Sequence, residues 1–433
     1  MRVLFVSGEL IAGDLAYRLK LEGCDVKLFV EHSEQKHCLD GFVDKTDDWK
    51  KELDWVGKDG LIVFDDVGYG KIQDDLRKEG YRVVGGSEGG DKLEQDREFG
   101  QKIFSQSGMN VVPIFNFETA DEAAKFIMDQ GGSWVIKQND HQSALNYVGM
   151  LDDGSDVLGV LENYRILGIT NLSLQRKLNG IEIAVGRFFN GADWVGPAEI
   201  NIEHKSFMNG NIGPKTGEMG TLVWYVQDRE NKLFDETLSR LKPYLQECGF
   251  KGTIDINCFV DHENVYPIEA TARFGCPIIH LQSDMHLSNW SDFLGAVADG
   301  KDFDLKVQDG YGIILTIAVP PFPYGNEDGI NNFSAEGMRV LFSGDLSQDE
   351  KERIHFEGVS LEMEPNGSSQ YVMTKNIGYA AFVGGVGKSV EFAQEQAYSL
   401  VKKMVVPKMM YRTDIGDEFV KKNKEDLLSW GWI

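Results

Sequence analysis

Five side chains and one loop of this sequence have the types and spacing for phosphate chemistry. Lys137 ends an apolar run, Trp134-Val135-Ile136. As the end of a strand it brings an ammonium out beside a loop, and with Arg97 it offers two cations on rigid structure, suited to nucleotide phosphates. Asp255 lies inside Gly252–Val260, and Glu269 closes Val265-Tyr266-Pro267-Ile268-Glu269; the turn Asp261-His262-Glu263-Asn264 joins the two runs. Pairing them as a hairpin puts both carboxylates on one face. Such a pair, with few other ligands, suits Mg²⁺ bridging phosphate oxygens. Arg273, in Arg273-Phe274-Gly275, has the planar fork to grip a phosphoryl group. The loop Gly213-Pro214-Lys215-Thr216-Gly217-Glu218-Met219-Gly220 excludes a packed helix and lets backbone amides approach a small anion.

Apolar runs and helical periodicity supply the elements that must hold these groups. Strands are expected at Val3–Val6, Asp25–Val30, Leu61–Phe64 and Arg82–Val84, with helices over 10–21 and 72–79 between them. This alternation implies a parallel sheet with crossover helices. One amphipathic helix is expected over 91–107. Strands over 111–117 and 134–137 flank a helix over 120–130. From 170 to 270 the chain reads as strands interrupted by one helix over 232–248. A strand over 312–319, a stiff turn at Pro320-Pro321-Phe322-Pro323, a strand over 379–383 and a helix over 389–404 complete the pattern. Gly384-Gly385-Val386-Gly387-Lys388-Ser389 imitates a phosphate-binding loop. That motif needs a glycine where Phe382 stands, so a tight strand-to-helix turn is expected instead.

At 433 residues the chain exceeds a single core. A formal charge of −25 and the lack of a basic stripe argue against a nucleic-acid groove. The five cysteines have no metal-ligand spacing and read as reduced thiols, and no apolar run approaches a membrane span or a signal peptide. A cytoplasmic, monomeric protein with small-molecule partners, and with neither nucleic acid nor membrane, is the expectation.

Taken in order along nearly the whole chain, these residues resemble the glycinamide ribonucleotide synthetases, a family of ATP-grasp ligases. Leu93-Glu94 with Arg97 and Phe99 is similar to the family's Leu-Glu-x-Ser-Lys-x-Phe, with Arg97 for the lysine. Val135-Ile136-Lys137 matches Val-Ile-Lys, and Gly180 with Glu182 falls on Asp-Gly-Glu-Glu. His204-Lys205 and the 213–220 loop resemble His-Lys and Gly-Pro-Asn-Thr-Gly-Gly-Met-Gly. Glu269 with Arg273-Phe274-Gly275 resembles Glu-Phe-Asn-x-Arg-Phe-Gly. Ala397-Tyr398 and Tyr411-Arg412-Thr413-Asp414-Ile415-Gly416 resemble the family's closing motif.

The resemblance implies a multidomain α/β and α+β fold. It has an N-terminal parallel α/β domain (1–90), an ATP-grasp domain (91–304, with a lid over about 111–180) and a small α+β C-terminal domain (305–433). It implies ATP with Mg²⁺ or Mn²⁺, an acyl phosphate, and joining of glycine to phosphoribosylamine in purine synthesis. Nucleotide contacts fall to Arg97, Lys137, Gln175, Lys177, Leu178 and Glu182, and metal contacts to Asp255, Glu269 and Thr271. Substrate contacts fall to Asn211, Gly213, Pro214, Lys215, Thr216, Gly217, Met219 and Gly275, and catalysis to Arg273 and Lys137. Four departures stand out. The lid loop over 138–149 is poor in glycine, Thr271 replaces an asparagine, and Cys276-Pro277-Ile278 replaces Asp-Pro-Glu. Ser7-Gly8-Glu9-Leu10-Ile11-Ala12-Gly13-Asp14 replaces a glycine-rich loop ending in Arg-Glu-His-Ala. They leave two alternatives: an amide ligase for another amine or amino acid, or a nucleotide-binding homologue without catalysis.

Overall fold

The computed structural model describes residues 1–138, 146–226, 231–324, 334–365, 367–375 and 377–433. Most of the lid loop, residues 139–145, therefore lies outside the described residues.

The first unit is a parallel sheet of β1 (Arg2–Ser7), β2 (Asp25–Val30), β3 (Asp44–Lys45), β4 (Leu61–Phe64) and β5 (Val83–Val84), in the order β3-β2-β1-β4-β5. Its inner strand β4 is buried at every position, as a strand covered on both faces must be. The lid is a second sheet, β6 (Ile114–Thr119), β7 (Trp134–Gln138), β8 (Tyr147–Val148) and β9 (Thr170–Arg176), in the order β6-β9-β7-β8. The helix Ala120–Gln130 begins on a capping box between Thr119 and Glu122. With the helix Ser155–Leu167 it closes a small core of its own, built on Ile127, Trp134, Ile136 and Leu161.

The third sheet carries the site. It contains β10 (Ile181–Asn190), β11 (Trp194–Glu203), β14 (Gly220–Val226), β15 (Lys251–Val260), β16 (Val265–Thr271), β17 (Tyr311–Ala318), β19 (Ile354–Phe356) and β22 (Tyr379–Gly387). The order is β16-β15-β10-β11-β14-β17-β22-β19, so the sheet runs on across residue 304. One apolar core continues from Phe5 and Leu15 through Phe250 and Phe274 to Leu315, Val383 and Trp432. A hairpin of β12 (Ser206–Met208) and β13 (Ile212–Lys215) stands off that sheet. The C-terminal strands β18 (Arg339–Phe342), β20 (Val359–Met363), β21 (Ser369–Met373) and β23 (Met404–Val405) form a further sheet.

Two expected helices divide. The helix over 91–107 is two, Glu88–Gln95 and Arg97–Gln106, because Asp96 is extended (φ −106°, ψ 95°) and its carboxylate accepts the Phe99 amide at 2.9 Å. The local side-chain bond competes with helix continuation, and the new helix starts at Arg97. The helix over 232–248 is likewise Lys232–Glu236 and Leu238–Glu247, broken at Thr237, whose hydroxyl donates to the Leu233 carbonyl. The glycine run 384–387 is not a turn: β22 continues through Gly387. A Cβ at Gly384 would overlap the Asp284 carboxylate, and one at Gly385 the Ala393 carbonyl, so close packing explains these glycines.

One buried cluster ties the units together. His355 on β19 has Nδ1 2.7 Å from Asp14 Oδ2 and Nε2 3.2 Å from Asp284 Oδ1. Arg18 Nε donates to Asp14 Oδ2 at 2.9 Å, and His280 stacks on His355 with ring centroids 5.2 Å apart. Burial opposes charge on His355, but Asp284 and Asp14 outweigh it and hold the imidazole above its ordinary pKa. Replacing His355 by leucine leaves two buried aspartates facing each other and is expected to cost about 3–5 kcal/mol. Thermal melting checks this, and an unchanged midpoint would show that the cluster contributes nothing. Because the folded pKa is raised, the stabilisation from His355 is full below its ordinary value and fades as pH rises through the folded one.

Candidate active site between the lid and the large sheet

A cavity of about 650 Å³ opens between the lid and the helix that starts at Arg97. Val111 to Ile114 and Leu174 give it an apolar wall, and Arg97, Lys137, Ser173 and Gln175 line it as well. Lys137 on β7 pairs in register with Ser173 on β9, and its Nζ donates to Gln175 Oε1 at 2.8 Å. Gln175 in turn donates from Nε2 to the Val112 carbonyl at 3.0 Å, which fixes its amide. Burial, with Arg97 nearby, brings the Lys137 ammonium down to about 7. Near neutrality it is thus poised to gain charge when an anion enters.

Arg97 leads from this cavity to a second, of about 310 Å³, since its Nη2 lies 4.0 Å from Glu269 Oε2. Glu269, Thr271, Asn257, Glu203, Lys205 and Arg273 are among the residues lining the second cavity. Lys205 sits among three glutamates: its Nζ is 2.9 Å from Glu269, 3.0 Å from Glu203 and 3.7 Å from Glu182. Lys205 beside it holds the Glu269 carboxyl down at about 2. Glu269 is therefore an anion throughout the working range, and 47% of its side chain stays open to the cleft. Asn257 Nδ2 donates to Glu203 at 3.1 Å and reaches Glu269 at 3.4 Å. Glu269 and Glu203, with Thr271 in the same cavity wall, offer oxygen donors of the kind a hard divalent cation takes, while Asn257 turns its amide nitrogen toward the two carboxylates.

Arg273 donates from Nε to Glu94 Oε1 at 3.0 Å and lies 3.7 Å from Asp66, so it reaches the cleft already braced by two acids. Asp255 stands two residue pairs further along the hairpin, opposite Thr271, whereas Asn257 is opposite Glu269. The Asp255 carboxylate accepts from Asn201 at 2.8 Å and is not part of the cavity wall.

The other sequence-selected residues separate into two groups. Gly217 and Gly275 line the second cavity. Gly213, Pro214 and Lys215 form the outer strand of the β12–β13 hairpin, away from it. Thr216 bonds the Lys205 carbonyl through both its amide and its hydroxyl at 2.8 Å, thereby orienting Lys205. Met219 is fully buried, and Asn211 accepts from Arg412 at 3.0 Å and donates to Glu418 at 3.1 Å, bracing the C-terminal segment. Lys177 and Leu178 lie in the connection between β9 and β10, outside the wall of the first cavity. Glu182, on β10, reaches the site through Lys205.

The sequence reading assigned no role to Lys205, Glu203, Asn257, Glu218 or Glu357, all of which line the second cavity. Period-two spacing could have found Asn257 and Glu203: the first is two residues from Asp255, the second ends a strand two residues before Lys205.

A third cleft, at the carboxyl ends of β1, β2 and β4, is lined by Glu9, Glu31, His32 and Asp66. In the loop over 7–14 the Ser7 hydroxyl and the Ala12 amide both donate to Asp65 Oδ2, at 2.8 and 2.9 Å.

In fold, a small sheet beside a large antiparallel sheet, the chain is similar to solved ATP-grasp enzymes. It is similar to the biotin carboxylase–β-γ-ATP complex from Campylobacter jejuni, with a TM-score of 0.62 and 12% identity over 98% of this chain and 96% of that one. In sequence as in fold the chain is similar to the phosphoribosylamine–glycine ligases. The Thermotoga maritima enzyme of that name superposes with a TM-score of 0.70 and 18% identity, over 96% of this chain and 100% of that one. The phosphoribosylamine–glycine ligase of Clostridium acetobutylicum is 23% identical over 359 residues, covering 80% of this chain and 81% of the relative. No family model matches the chain. Among the described residues, no helix is long and apolar enough to cross a membrane.

Proposed function

We propose that the protein is an ATP-dependent carboxylate–amine ligase that joins glycine to phosphoribosylamine in purine biosynthesis. The observation that carries the reading is the convergence of Lys137 from the lid, Arg97 from the helix start and Glu269 from the large sheet at the junction of two cavities. The larger cavity takes the nucleotide, with Lys137 and Arg97 meeting its phosphates. The smaller takes the carboxylate to be activated. Glu269, with Glu203 and Thr271, would hold Mg²⁺ or Mn²⁺, which supplies positive charge for the transferring phosphoryl group.

Transfer of the γ-phosphoryl group to a glycine carboxylate oxygen releases ADP and leaves an acyl phosphate. The amine nitrogen then attacks the acyl carbon, the C–O bond to phosphate breaks, and the nitrogen loses a proton. Little covalent work is asked of the protein, whose task is positioning and charge neutralisation. Arg273, braced by Glu94 and Asp66, is placed to stabilise the phosphoryl oxygens as charge develops. Lys205 keeps Glu269 ionised until a metal arrives.

The relatives' names favour phosphoribosylamine over other amines. The carboxylates lining the cleft at β1, β2 and β4 favour an unphosphorylated amine, a second reading that turnover with phosphoribosylamine overturns. The proposal includes a monomer working in the cytoplasm, in keeping with five unpaired cysteines. Hydroxylamine in place of the amine tests the acyl phosphate. Glycine hydroxamate forming in step with ADP supports it, and ATP turnover without hydroxamate refutes it.

A further inference from the structure

The cluster around His355 carries more ligating atoms than its ion pairs use. Asp14 and Arg18 come from the helix Gly13–Leu21, His280 and Asp284 from the helix Ile278–Met285, and His355 from β19. Asp14, His280 and His355 each place one ligand atom within 4.8 Å of the other two, and all three are buried. Two further atoms of the cluster, His280 Nε2 and Asp284 Oδ2, are buried with no hydrogen-bond partner among the described residues. Leaving a buried imidazole nitrogen and a buried carboxylate oxygen unpaired is costly, and both kinds of atom ligate transition metals. The fold makes room for them. A Cβ at Gly384 would overlap Asp284 Oδ2, so a glycine of the run that imitates a phosphate loop seats this carboxylate.

We infer that Asp14, His280 and His355 form a buried structural site for one Zn²⁺ or a similar divalent transition metal, with Asp284 as the carboxylate that orients His355. Two imidazoles and a carboxylate are a donor set for such ions, whereas Mg²⁺ takes oxygen. Each nitrogen of His355 already faces a carboxylate, Nδ1 toward Asp14 at 2.7 Å and Nε2 toward Asp284 at 3.2 Å. An ion held by Nδ1 and Asp14 leaves Nε2 bonded to Asp284, the kind of outer carboxylate contact that fixes a ligating ring. Bonds of about 2.0 Å set tetrahedral ligands about 3.3 Å apart, so atoms within 4.8 Å of one another need to close by at most about 1.5 Å. Arg18 opposes the ion: its Nε bonds Asp14 Oδ2 at 2.9 Å and its Nη2 lies 3.2 Å from His355 Nδ1. Two carboxylates against one guanidinium still leave the cluster net negative when both imidazoles are neutral, so Arg18 weakens the attraction for a cation without reversing it. None of the three ligands lines either cavity of the ligase site, so the ion would pin the first unit, the helix over 278–285 and the far edge of the large sheet together.

The test is calorimetry with Zn²⁺ on the full chain after chelator treatment, with Mg²⁺ in excess to occupy the site at Glu269. Binding of one Zn²⁺ per chain is expected, and His280→Gln should weaken it at least ~100-fold, as loss of a ligand requires. His280 Nε2 bonds nothing in the folded chain, so this variant spares the ion pairs that hold the cluster. Zn²⁺ should raise the melting midpoint of the native chain by at least ~2 °C and leave that of His280→Gln where it is. Glu269→Gln should keep the zinc site in full. On the native chain, Co²⁺ in place of Zn²⁺ should give visible d–d bands with no thiolate charge-transfer band, which separates this site from the five cysteines and decides the matter even if the variant does not fold. No stoichiometric zinc, binding undiminished in His280→Gln, a thiolate band, or zinc lost in Glu269→Gln instead overturns the site.

Discussion

Replacing Glu269 by glutamine lowers turnover by about 10³-fold while the protein stays folded, the order of loss seen when a preorganised electrostatic contact is removed. The argument starts from its surroundings. Glu269 ends the exposed face of an edge hairpin, keeps its charge because Lys205 lies 2.9 Å away, and faces the cleft with Asn257 and Thr271. Glutamine keeps the shape but removes the charge that neutralises a metal. It also leaves Lys205 with Glu203 and Glu182 as partners, so the local ion network survives and folding should be little affected. Steady-state ATP turnover together with circular dichroism reads both. A folded variant with near-normal turnover would remove Glu269 from the metal site.

Replacing Lys137 by alanine should raise the ATP requirement by about 10²-fold, as expected for a buried charge-assisted contact to phosphate. Its ammonium is brought down to about 7 in the free protein, chiefly by burial, so nucleotide binding must restore its proton. The sign follows: below pH 7 the lysine is already charged and affinity is flat. Above pH 7 protonation must accompany binding, and affinity falls as pH rises until the value in the complex is reached. Calorimetry in buffers of different ionisation enthalpy should show net proton uptake near pH 8, lost in the alanine variant. Unchanged ATP dependence in Lys137→Ala would assign Lys137 to the solvent.

The parts of the site legible in the sequence were those with a local signature. Lys137 after three apolar residues, and Glu269 at the end of a short strand, could be placed because strand ends are written in a few neighbouring residues. The parallel sheet was legible for the same reason: β2 and β4 occupy the expected residues. What local pattern could not show was register and long-range assembly. That Asn257 rather than Ile256 stands opposite Glu269 depends on a bulge in the hairpin between Asn257 and Cys258, which no spacing rule reveals. Glu357 comes to the cavity because β19 pairs with β22 at the far edge of an eight-stranded sheet, close to ninety residues beyond Glu269 in sequence. Helix breaks at Asp96 and Thr237 turned on single side-chain bonds that override an amphipathic period. The glycines at 384–387 imitated a loop because the need for close packing and the need for a turn draw on the same residue.

The most direct test of the ligase account is one assay: purified protein, Mg²⁺-ATP, freshly made phosphoribosylamine and glycine, with phosphate release followed and the product weighed by mass spectrometry. The account predicts one phosphate released for each glycinamide ribonucleotide formed, and no release when either substrate is omitted. ATP bound in the cavity at Lys137 with no phosphate released, for phosphoribosylamine or for any other amine offered with glycine, would contradict it.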